Sequence, residues 1–248
     1  MSGIKLSRPE RYDMLPYQRL VVAILTILSS LHPARAQNDE RPPDTMEARV
    51  LACAPCHGAR GQGTGSEYFP RLAGKPAGYL HNQLIAFRDG RRRYPPMNYL
   101  LAFLPDAYLG AMADHFAAQD APLPPPGISA ASREVLAQGQ ALAMHGNPAR
   151  GIPACMGCHG TSFTGMEPAI PGLLGLRPGY ISAQIGAWRY GTRTAPAPDC
   201  MQFVAARLTE TDVTAVSAWL SMLPAPANPA PAPQGSIPML LPCGSQPN

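Results

Sequence analysis

Strand signal is nearly absent from this sequence. No stretch alternates Val, Ile, Thr and aromatics with period two, so a sandwich, a barrel or a βαβ unit is not expected. Charge is scarce as well: Asp, Glu, Lys and Arg make up 15% of 248 residues. Glycine (23) and proline (30) are abundant, a composition that suits short helices joined by irregular loops. Beyond residue 31 no apolar run is long enough to span a bilayer. The length allows one or two domains.

The N-terminus reads as a targeting segment, residues 1–36. Lys5, Arg8, Arg11 and Arg19 give it a positive start, and Leu20 to Leu31 is an uncharged, mostly apolar run. At 1.5 Å per residue those twelve residues span roughly 18 Å, short of the ~30 Å hydrocarbon core, so a cleaved signal is expected rather than an anchor. Ala34-Arg35-Ala36 is a small-x-small cleavage site, and export to the periplasm follows. Removal takes five of the 20 basic residues and two of the 16 acidic ones, leaving the charges nearly balanced. The excess of positive charge in the whole chain therefore says nothing about nucleic acid.

Six cysteines in an exported chain first suggest disulfides. Four of them have another use. Cys53-Ala54-Pro55-Cys56-His57 and Cys155-Met156-Gly157-Cys158-His159 are both C-x-x-C-H, the attachment motif for haem c, in which two thiols bond the haem vinyl groups and the histidine binds the iron. A thioredoxin-like dithiol would sit in a βαβ pattern, and a zinc site would leave the downstream methionines unexplained.

The two motifs belong to an internal repeat. Pro70 to Gly74 matches Pro171 to Gly175, and Tyr79 to Arg88 matches Tyr180 to Arg189, each at an offset of 101. Met97 and Met201 each precede a leucine by seven residues, Leu104 and Leu208. The organisation expected is an all-α chain of two tandem units, residues 37–120 and 128–223, joined by a proline-rich linker at 121–127 and followed by an irregular tail at 224–248 with eight prolines. Helices are expected to start near Asp44 with Glu47, over Ser129 to Met144, over Tyr79 to Phe87 and Tyr180 to Trp188, after Pro105, and at Thr209 with Asp212.

The matched methionines supply the sixth iron ligand in this reading. Tyr94-Pro95-Pro96-Met97 and Pro196 to Met201 place them in proline-stiffened loops. Thioether ligation favours reduced iron, and a His/Met pair leaves no open position, which argues for electron transfer over catalysis. A dihaem peroxidase would need an iron that opens. His81, His115 and His145 are read as packing residues, because Ser182 and Trp219 replace the first two in the other copy. Tyr79, Tyr180, Gln83, Gln184 and Trp188 are expected in the haem pocket or at the domain interface. Arg91-Arg92-Arg93 reads as a solvated loop that could offer one partner to a propionate or a docking patch. Gly58 to Gly65 lacks the lysine and register of a phosphate loop.

These motifs resemble the cytochrome c4 group. The similarity covers about residues 46 to 223. It rests on both C-x-x-C-H motifs, Gly151 to Cys155, Pro-x-Leu-x-Gly, Tyr-Leu/Ile-x-x-Gln with Phe87 or Trp188, Gly191-Thr192-Arg193, and Met201 with Leu208. The resemblance implies two class I cytochrome c domains related by a pseudo-two-fold axis, with two covalent haem c groups near their interface. It also implies a soluble or membrane-associated periplasmic carrier, between a donor such as a quinol-oxidising complex and a terminal oxidase. A fixed subunit of a larger redox complex is the alternative. His115 stands where the family has an aromatic residue. The remaining Cys200 and Cys243 and the tail are also outside the family pattern. An even leftover pair points to a disulfide, with free thiols, an intermolecular bridge or a thiolate ligand in place of Met201 as alternatives.

Overall fold

Thr45, one residue later than expected, starts the first helix, its hydroxyl accepting from the Ala48 backbone N–H. Asp44 is drawn away by Arg49, which it pairs at 2.7 Å. The structure, a computed structural model, describes residues 44–246. The targeting segment and the start of the first unit fall outside the described residues.

The first copy contains α1 (Met46–Arg49), a 3-10 turn (Leu51–Cys53), α2 (Ala54–His57), α3 (Ala77–Arg88), α4 (Pro95–Leu101) and α5 (Asp106–Ala117). The second repeats the plan with α6 (Arg133–His145), α7 (Met156–His159), α8 (Pro178–Arg189), α9 (Cys200–Ala205) and α10 (Glu210–Leu220). Between α7 and α8 it adds a two-residue hairpin, β1 (Gly165–Met166) antiparallel to β2 (Ile170–Pro171). Helix α6 begins at Arg133 rather than Ser129 because the Ser132 hydroxyl accepts from the Val135 N–H. At α10 Thr209 and Asp212 form the expected capping box. Among the described residues no helix is long and apolar enough to cross a membrane.

The two methionines sit in the first turn of a helix, although Pro196 to Asp199 ahead of Met201 is loop as expected. Pro95 opens α4 and Asp199 caps α9, the Asp199 side chain accepting from Gln202 N–H at 3.0 Å. A proline at the first helical position loses no hydrogen bond, so at Pro95 the stiffness read as loop character starts a helix instead.

Apolar burial differs between the copies. The second has one large cluster that includes Leu142, Phe163, Tyr180, Ile181, Ile185, Leu208, Val216 and Leu220. The first has two smaller ones, around Val50, Leu80, Met112 and Phe116 and around Phe87, Leu101 and Leu109. Helices α6 and α10 cross where Gly139 has no side chain: a Cβ there would collide with the Ala215 carbonyl and lie 3.0 Å from Trp219 Cβ.

Candidate haem sites and the interface between the copies

Each C-x-x-C-H histidine ends a one-turn helix, followed by a glycine with positive φ, Gly58 at 80° and Gly160 at 87°. That conformation suits glycine and turns the chain sharply after the imidazole. His57 Nδ1 lies 2.8 Å from the Pro70 carbonyl, and His159 Nδ1 lies 2.8 Å from the Pro171 carbonyl. A carbonyl only accepts, so Nδ1 carries the proton and Nε2 keeps the lone pair that a metal takes. Burial lowers the pKa of both imidazoles and keeps them neutral. Cys53, Cys56, Cys155 and Cys158 are unpaired. Burial raises the Cys53, Cys155 and Cys158 thiols, Cys155 to about 11.

Met97 is half-buried against the Phe87, Leu101 and Leu109 cluster, and Met201 is half-buried on α9. Cys200, next to Met201, is joined to Cys243 by a disulfide with Cα atoms 5.0 Å apart.

The arginine loop corrects the sequence reading. Arg92 is not solvated; it is 8% exposed, and its repeat counterpart Arg193 is 3% exposed. The two loops pair backbone to backbone across the copies, Arg93 N–H to Thr192 O at 2.9 Å and Thr194 N–H to Arg91 O at 2.8 Å. The side chains then cross. Arg92 donates to Gln83, Tyr180 and Gln184; Arg193 donates to Gln184, Tyr79 and Gln83. Each guanidinium also lies over the aromatic ring of its own copy, Arg92 over Phe87 at 4.4 Å and Arg193 over Trp188 at 3.7 Å.

Two further ties are reciprocal. The Tyr79 N–H at the start of α3 donates to the Pro168 carbonyl at 3.2 Å, and the Tyr180 N–H at the start of α8 donates to Glu67 at 3.2 Å. Lys75 is buried with its Nζ 2.7 Å from the Gly172 carbonyl. Burial pulls this amine down to about 8. Burial alone would raise the Tyr79 phenol, but the charges of Arg193, Arg92 and Lys75 bring it down to about 8.

Of the residues expected in the pocket or at the interface, Tyr79, Tyr180, Gln83 and Gln184 lie at the interface, and Trp188 stacks on Arg193 there. Arg92, Lys75 and Glu67 join them without having been expected in this role. The available signal was the offset of 101, which sets Arg92 opposite Arg193. His115 lies against Gln119, His145 ends α6, and Trp219 packs edge-on to Phe163 at 5.6 Å.

An all-α chain built twice around C-x-x-C-H turns defines a dihaem c-type electron-transfer protein. No family model matches the chain. It is 36% identical over 215 residues to the thiosulfate dehydrogenase electron acceptor of Thiomonas intermedia, covering 86% of this chain and 94% of that protein. It is 35% identical over 207 residues to cytochrome c4 of Pseudomonas aeruginosa, covering 83% and 98%. The crystal structure of reduced recombinant cytochrome c4 from Pseudomonas stutzeri superposes with a TM-score of 0.63 at 29% identity, covering 72% of this chain and 96% of that one. The chain belongs to the cytochrome c4 family and carries two covalently attached haem c groups.

The residues present fit those groups. Two guanidiniums and a lysine are buried where the copies meet, and among the described residues none pairs with a carboxylate. Burying such charge uncompensated costs several kcal/mol per ion. The Trp188 indole N–H beside them is buried with no acceptor. Propionates are the anions such donors lack.

Proposed function

We propose that His57 with Met97 and His159 with Met201 are the axial ligands of the two irons, and that Cys53 and Cys56, and Cys155 and Cys158, hold the corresponding haems. The units are residues 37–120 and 128–223, joined by 121–127. The observation that carries this reading is the pair of matched imidazoles, each held by a proline carbonyl with Nε2 free. Bound haem supplies a one-electron couple. The chain orients each imidazole through Nδ1, offers a thioether that favours reduced iron, and presents Arg92, Arg193, Tyr79, Tyr180 and Trp188 to the propionates. That cluster spans both copies, so it would bring the haems near one interface and let electrons pass between them without diffusion.

The signal-like segment 1–36, cleaved after Ala36, supports a periplasmic carrier. Its route runs from a redox donor to a terminal oxidase. The relative from Thiomonas intermedia favours a specific donor, a thiosulfate dehydrogenase. A spectroelectrochemical titration of the purified protein tests the ligand assignment: two low-spin centres with the weak far-red sulfur-to-iron band are expected. A high-spin ferric spectrum at neutral pH would overturn it. Mixing the ferric protein with thiosulfate dehydrogenase and thiosulfate tests the donor, with reduction in single turnovers as the expected outcome.

A further inference from the structure

The tail after α10 is not a loose end. Ala232 bridges to Met166 through hydrogen bonds of 2.9 Å in both directions, Glu167 N–H to Ala232 O and Ala232 N–H to Gly165 O. The disulfide ties Cys243 to α9, and Gly244 N–H donates to the Pro198 carbonyl at 2.9 Å. Gln246 is 5% exposed, accepts from Ala169 N–H and donates to the Glu167 carbonyl, both at 3.0 Å. Asn82 of the first copy donates to the Ser245 carbonyl at 3.3 Å. Residues 232–246 are therefore strapped down at both ends.

Between those anchors the strap crosses the second C-x-x-C-H turn. The Leu240 side chain lies directly over Gly157, between the two cysteines of that turn. A Cβ on Gly157 would collide with Leu240 Cδ1, and one on Gly160 would lie 3.7 Å from Ile237 Cδ1. The glycine at 157 is what lets the strap sit there. The first copy has Pro55 at that position, exposed, and Leu51 beside it is 67% exposed. Their counterparts Gly157 and Pro153 are half-buried.

We propose that this strap closes the haem-attachment face of the second copy to redox partners, so that electron exchange with other proteins runs through the first copy. The inference rests on haem attachment at both motifs. It turns a nearly two-fold-symmetric pair into a directional one: the first haem exchanges electrons with a docked redox protein, and the second is reached through the first.

Haem-methyl proton resonances of the full-length ferric holoprotein, titrated with a neutral gadolinium chelate, read the accessibility of each haem edge without any electron transfer. Several-fold greater broadening is expected for the haem bound at Cys53 and Cys56 than for the haem at Cys155 and Cys158. The difference should shrink towards none in a Cys243→Ser/Leu240→Asp variant and in Gly157→Leu, which puts a side chain where Leu240 lies. Equal broadening in the unaltered protein overturns the proposal. So does a difference that survives in both variants. A failure of the His/Met assignment would show separately, as high-spin shifts in the same spectra.

Discussion

The first and second copies share one backbone plan but not one degree of enclosure. The first divides its apolar residues between two small clusters. The second gathers its core into one cluster and adds a hairpin, a disulfide and a strap. Its opening helix runs thirteen residues, against four described in α1. Repeating a sequence unit repeats the C-x-x-C-H turns. What surrounds each turn decides how much solvent and which partners reach it.

The largest expected effect tests whether the copies are equivalent at the iron. Met97→Ala and Met201→Ala should each lower the potential of their own haem by on the order of a few hundred millivolts, since axial ligation spans much of the ≈ 0.8 V range of haem proteins. Separate potentiometric titrations check this. A variant that shifts both haems equally would break the assignment of one methionine to each copy.

Gly139→Ala should cost the second copy about 3 kcal/mol, because α6 and α10 must separate to admit the methyl group. Denaturant unfolding followed at each haem would show the second centre lost first.

A smaller effect comes from Asp212, which is 2% exposed. Burial would raise its carboxyl, but hydrogen bonds from Arg150, the Thr209 N–H and Gln138 hold it well below the usual carboxylate range. A depressed folded-state pKa gives stability that is present above the unfolded value, ~4, and lost as pH falls through the folded one. Asp212→Asn should therefore cost about 2 kcal/mol at neutral pH and progressively less in acid. The first copy has Tyr108 at the matching position, so Tyr108→Phe should show no such pH dependence. Thermal melts across an acid pH series compare the two.

The smallest effect sharpens the comparison at the interface. Trp188→Phe gives the second copy the ring that the first has in Phe87. Loss of the indole donor should lower the second haem's potential by up to ~40 mV, the equivalent of about 1 kcal/mol for one electron. An unchanged potential would mean that the indole N–H does not face a propionate.

Several features were legible before any fold was drawn. The duplicated C-x-x-C-H, the offset of 101 and the capping box at Thr209 are local patterns, and each dictates its own geometry within a few residues. The Cys200–Cys243 pairing was open to alternatives by counting, and the fold brings those two residues to a Cα separation of 5.0 Å. The arginine loop was legible only in part: Arg93 is exposed, as a run of three arginines normally is, but Arg92 is buried at the contact with its partner loop, a hundred residues away.

By itself the sequence determined the helical class, the repeat and the residue types able to hold two haems, because these depend on spacing along the chain. The tertiary structure decided what depends on distance through space. It made a shared network of Arg92 and Arg193 with both tyrosines and both glutamines. It also laid the proline-rich tail across the second attachment turn. That tail lacks helical periodicity, and its position comes from partners at Gly165, Pro198 and Asn82, which no local pattern encodes.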